Sequence, residues 1–153
     1  MTRKQVYDFI KAGADSLKAQ HEFRRGRVSE FSSLNKDFPV VWYETQIDTA
    51  APSTDLNLNS LPIDAWPIKL WIGKLDRDGS LPEEYESIVD DCDEIAQTLA
   101  FKYNSVVAGN NLLTLTDINR TPFIKKLASC VTGVILSFNL NGPDTTDQSD
   151  NCD

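Results

Sequence analysis

Histidine is almost missing from this chain, which carries His21 and no other imidazole. No cysteine or second histidine stands at ligand spacing from it, so the material for a Ser-His-Asp or Cys-His site is thin. At the C-terminal end of a helical pattern, His21 reads as a capping or surface residue. Cysteine is scarce too. Cys92, Cys130 and Cys152 are odd in number and far apart, which makes neither a disulfide framework nor a zinc pattern and fits a reducing cytoplasm. No apolar run approaches the roughly 18 residues that a membrane helix needs. The opening Met1-Thr2-Arg3-Lys4 leads into an amphipathic pattern rather than an apolar signal core, so secretion is not expected. Basic charge is also in deficit. Fifteen Lys and Arg face 23 Asp and Glu, and a net charge of −8 argues against general electrostatic binding to nucleic acid.

What remains is an ordinary globular composition. The 153 residues are 41% hydrophobic and 25% charged, enough for one domain with a core of its own. The charge is unevenly spread. Residues 1–36 hold eight Lys or Arg against four acids, whereas residues 76–94 hold nine acids against Arg77 alone. A molecule with a basic end and an acidic end is suited to stack on copies of itself or on partners.

Periodicity supplies the elements. Val6, Phe9, Ile10, Gly13, Ala14 and Leu17 recur at spacings of three and four, predicting a helix over 2–20. Thr2 and Gln5 have capping-box spacing, and Lys18 suits its last turn. EFRRGRVSEF (22–31) reads as an edge strand with Phe23, Arg25, Arg27, Ser29 and Phe31 on one side. FPVVWYETQID (38–48) and WPIKLWIGKLD (66–76) are stronger strands; Trp66 and Trp71 could each be part-exposed, with core filler the expected role of one and interface anchor a candidate role for the other. Between them lies a long polar connection, 49–63, expected to project as an arm. Ser80 and Glu83 repeat the capping-box spacing and Pro82 suits a first turn, so a second helix runs to about Tyr103. Tyr85, Ile88, Val89, Cys92, Ile95, Ala96, Leu99 and Tyr103 form its apolar stripe. LLTLTDI (112–118) alternates as a strand, and NRTPFIKKLAS, carrying Pro122, is expected to bend. CVTGVILSFNL (130–140) is the most apolar strand and belongs in the middle of the sheet. From Asn141 the chain is a polar, acidic tail (141–153). The pattern predicts an α+β fold over 1–140: a mostly antiparallel sheet of about four to six strands packed by two helices.

The acids of 90–94 are the natural place to look for chemistry. Helical phase puts Cys92 on the apolar stripe and fans Asp90, Asp91, Asp93 and Glu94 around the rest. A calcium loop needs a turn-promoting glycine and backbone carbonyls, which a helix interior withholds, so the cluster reads as a solvated surface and Cys92 as a packing residue. DRDGS (76–80) reads as a turn, and Gly73-Lys74 lacks the context of a phosphate loop. The candidate contact residues are therefore Arg24, Arg25 and Arg27, Trp66 and Trp71, and Glu83, Glu86, Asp90 and Glu94. No catalytic residue, metal or cofactor is assigned.

The order of elements carries a resemblance. DFPVVWYE (37–44), WPIKLWIGKLDRDGS (66–80), the acidic helix, and LLTLTDINRTPFIKKLASCVTGVILSFNL (112–140) together resemble the small α/β proteins of bacteriophage necks and tails. The nearest likeness is to tail-terminator and tail-completion proteins (head-to-tail connectors) of Bacteroidetes phages and prophages, including crAss-like phages. The matching motifs are Phe38-Pro39-Val40-Val41-Trp42, the helix at 83–101 and Thr121-Pro122-Phe123. The resemblance implies a virion protein, assembled in the host cytoplasm, that forms a ring of six or twelve copies at the portal–tail junction. Its partners would be itself, the portal and other neck or tail proteins, with DNA only as cargo and no membrane. It carries no catalytic residues to transfer. The acidic helix leaves a second possibility, a soluble adaptor or inhibitor that binds one basic protein through it, and the acids of 90–94 leave a third, a small hydrolase or metal-dependent enzyme.

Overall fold

The computed structural model describes residues 1–17, 22–27, 39–45, 53–55, 63–76, 81–110, 112–126 and 131–143. Expectations for His21, Cys130, Cys152, Lys18, Ser80 and the tail beyond Pro143 fall outside those residues. Within them the elements are α1 (Arg3–Asp15), β1 (Glu22–Gly26), β2 (Val40–Glu44), β3 (Ser53–Asp55), β4 (Ile63–Leu75), α2 (Pro82–Ala108), β5 (Thr114–Lys126) and β6 (Val131–Pro143). The fold is α+β, with one mixed sheet in the order β1-β2-β4-β6-β5 and both helices packed on the same apolar face. Only β1 against β2 is parallel; β2–β4, β3–β4, β4–β6 and β5–β6 are antiparallel.

Sequence alternation decides which face is dry. Val41 and Tyr43 of β2, Trp66, Ile68, Leu70 and Ile72 of β4, and Val134, Leu136, Phe138 and Leu140 of β6 all turn toward the helices. β6 is central and almost wholly buried, as its apolar run predicts. On the reverse face Val40, Trp42, Phe123 and Val131 make a smaller cluster, flanked by half-buried Trp71, Leu75 and Ile135.

The α1 capping box forms as its spacing predicts: Gln5 N–H donates to Thr2 Oγ1 at 3.2 Å, and Thr2 N–H donates to Gln5 Oε1 at 2.8 Å. At the start of α2 the register differs by one residue. Leu81 is the N-cap, its side chain has no acceptor to offer, and only the reverse half of the box exists, Leu81 N–H to Glu84 Oε2 at 3.3 Å. Pro82 occupies the first turn as expected, where its missing donor costs nothing. The helix outlasts its predicted end by a turn because Val107 is still buried on the apolar stripe.

Three expectations need correction. The 49–63 connection is not simply an arm, because Ser53–Asp55 pair with Ile63–Ala65 and extend the sheet beside β4. Pro122 does not bend the chain out of the sheet. β5 runs through it to Lys126, since an edge strand can turn a donorless nitrogen away from its partner. The strand absorbs its irregularity instead in two register shifts, and at the first of them Asp117 takes φ 55° and accepts a hydrogen bond from Asn139 at 2.9 Å. Trp66 is not part-exposed. It is 5% accessible, lies in the main core with the Arg3 guanidinium carbon 5.7 Å from its ring centroid, and its indole N–H finds no acceptor among the described residues.

The two helices meet at Tyr103. Its ring lies against Phe9 (5.3 Å between centroids) and Phe138 (5.6 Å), and its hydroxyl donates to the Ile10 carbonyl at 2.8 Å. Burial pushes the phenol far above its usual range, so it stays a donor. Gly13 makes the approach possible, because a Cβ there would stand 2.2 Å from the Tyr103 ring. Tyr103→Phe is expected to cost about 1 kcal/mol and Gly13→Ala about 1–3 kcal/mol in urea unfolding. Gly13→Ala made in a Tyr103→Leu background should cost clearly less; additive losses would show that this contact does not set the helix spacing.

Candidate functional site

At a rise of about 1.5 Å per residue, α2 is a rod of about 40 Å, and its two sides differ completely. Cys92, Ile95, Ala96, Leu99, Tyr103 and Val107 are buried against the sheet. Glu83, Asp90, Glu94 and Phe101, spaced by seven, four and seven residues, share the opposite line and are all exposed. Glu86 flanks them, also exposed. The acids of 90–94 therefore do not act together. Asp93 turns sideways, accepts from Arg120 of β5 at 2.9 Å and from Gln97 at 2.8 Å, and ties the helix to the sheet edge. Among the described residues no group of three His, Cys, Asp or Glu side chains is placed to hold a metal ion.

Cys92 is wholly buried. Burial, with a smaller contribution from the Asp91 carboxylate, pushes its thiol up to about 12, against a slight opposing pull from Lys74. A neutral thiol in an apolar stripe packs and does not attack.

The basic residues lie at the other end of the strand order. β1 is an edge strand, as its polar interruptions predict, and Arg24, Arg25 and Arg27 are exposed. Arg24 is matched locally, its Nε donating to Glu22 Oε1 at 2.6 Å. Arg25 lies flat over Tyr7 of α1, with its guanidinium carbon 4.1 Å from the ring centroid. Tyr7 is itself held between Phe23 (6.2 Å) and Tyr43 (6.3 Å). These groups line a groove of about 580 Å³ between α1 and β1, bounded by the rings of Tyr7, Phe23 and Trp42, the cations Lys11, Arg24 and Arg25, and the carboxylates Asp15 and Glu22. Lys11 is paired with Asp15, whose hydrogen bond raises the lysine's affinity for its proton. The Trp42 indole N–H donates to the Gly26 carbonyl at 3.2 Å and fixes the floor.

The candidate tryptophans part company. Trp66 belongs to the core. Trp71, on the reverse face of the sheet, is half-buried, meets Phe123 edge-on at 5.2 Å and donates to Glu44 at 2.8 Å. Neither borders the groove. Sequence reasoning missed Phe101, Tyr7 and Arg120. Phe101 had a readable signal, being a large apolar residue in phase with Glu94 on the wet side. Tyr7 and Arg120 had none, because their partners come from other elements.

The Cys92 environment is testable. Iodoacetamide at pH 8 should alkylate Cys92 slower by a hundredfold or more (order of magnitude) in the native protein than in urea, followed by peptide mapping. Its folded pKa is raised from 9.0 to about 12, so its contribution to stability is complete below pH 9 and is lost as the pH rises toward 12. Tyr103 acts in the same direction. Unfolding midpoints should fall steadily across that window; a flat profile would mean that the thiol is not buried in solution.

No family model matches this chain, and no curated protein matches it. The groove and the ridge are therefore interpreted from their own chemistry.

Proposed function

We propose that this protein is a structural subunit of a phage virion, assembling into a ring of six or twelve copies at the portal–tail junction through which genomic DNA passes. The observation that supports this most directly is the placement of charge. A row of exposed carboxylates, without ion pairs among the described residues, lies along the outer side of α2, and three exposed arginines lie at the β1 edge of the sheet, on separate elements of the subunit. Complementary patches on different surfaces of one subunit make head-to-tail contacts, and such contacts close into a ring when the rotation per subunit allows it. The acidic excess of the whole chain suits a conduit as well, because acidic walls repel the phosphate backbone and let DNA slide. In this reading the protein acts by assembly, performs no bond chemistry, and meets the portal and other neck or tail proteins above and below its ring. No helix among the described residues is long and apolar enough to cross a membrane.

Native mass spectrometry across protein concentration and salt tests the proposal. A discrete six- or twelve-subunit species is expected, giving way to smaller ones as salt shortens the reach of the charges from about 8 Å at 0.15 M to about 3 Å at 1 M. A protein that stays monomeric throughout, yet forms a salt-sensitive one-to-one complex with a basic protein, would favour the adaptor reading instead.

A further inference from the structure

We propose that Phe101, with the carboxylates that precede it on α2, docks into the α1–β1 groove of a second copy of this chain. The inference rests on the self-assembly reading above and names the contact that would carry it.

Each surface has something unsatisfied that the other supplies. Phe101 is 75% exposed, the most exposed large hydrophobic residue described, and it ends the outer line of α2 rather than lying among other apolar side chains. Glu94 stands two helical turns before it, about 10 Å away along the axis, and its carboxylate makes no ion pair among the described residues. In the groove, Arg24 and Lys11 are already neutralised by Glu22 and Asp15, which leaves Arg25 as the groove cation without a carboxylate partner among the described residues. Its guanidinium also rests over the Tyr7 ring, 4.1 Å from the centroid. Beside it the rings of Tyr7, Phe23 and Trp42 line a space open to solvent. An aromatic anchor entering an aromatic groove, with a carboxylate meeting an arginine at the rim, has the composition of an interface centre.

The contact cannot form within one molecule. α2 packs over β4, β6 and β5, whereas the groove lies beside β1 at the opposite edge of the sheet, and the Phe101 line points away from the sheet altogether. Ridge and groove are different surfaces, so the same contact can repeat head to tail from copy to copy, as a closing ring requires.

Two variants separate the surfaces. Phe101→Asp disables the ridge and leaves the groove intact; Arg25→Glu does the reverse. Both positions are exposed, and circular dichroism melts verify folding, with Lys11→Glu as a second groove variant. Each full-length variant alone should sediment as a monomer, its self-association weakened at least about 30-fold. Mixed, they should form a one-to-one complex and nothing larger, because one intact ridge and one intact groove remain. If both variants assemble as the wild type does, the contact is wrong and the ring reading survives through another surface. If the mixture gives no complex while the wild type forms rings, the contact is again wrong. If the wild type never exceeds a monomer and the mixture gives no complex, both proposals fall together.

Discussion

The meeting of Tyr103 with Gly13 is the constraint on which the other features depend. A tyrosine from α2 reaches the backbone of α1 through its hydroxyl and the central strand through its ring, and it fits because residue 13 has no side chain. That contact positions α1 over the sheet. α1 in turn places Tyr7 between Phe23 and Tyr43, and Tyr7 supports Arg25. The shape of an exposed basic groove is thus inherited from a buried aromatic contact on another element. Close-packed interiors transmit position in this way because they have little free volume in which a shift can be lost.

α2 divides its carboxylates between two tasks by helical phase alone. Asp93 lies at the flank and reaches Arg120 on β5, a half-exposed pair that orients the helix more than it stabilises it. Glu83, Asp90 and Glu94 lie on the far side, fully in water. Exposed carboxylates of this kind contribute to the field around the molecule and attract basic surfaces at a distance. The same helix buries Cys92 on its dry side, where the thiol remains neutral.

Much of this was legible in one dimension. Spacings of three and four located both helices, and the apolar run at 130–140 marked an interior strand of the sheet. The failures share a cause. Pro122 is forbidden in a central strand and acceptable at an edge, so its meaning depended on strand order. Ser53–Asp55 has no alternation long enough to read, and its pairing with Ile63–Ala65 is a contact between two separate segments. Trp66 looked amphipathic by type, yet its parity with Ile68 and Leu70 put it in the core even though its indole N–H gains no partner there.

Helical and strand periods convert linear order into sidedness, so the apolar stripes and the division of charge along the chain were readable in one dimension. Only the tertiary structure decided which sides would be neighbours. Arg25 over Tyr7, Arg120 on Asp93 and Trp71 on Glu44 join residues 18, 27 and 27 positions apart across different elements. No local period encodes such pairs. They arise when the apolar faces close on one another, and the groove on one edge and the acidic ridge above the other are what that closure leaves in water.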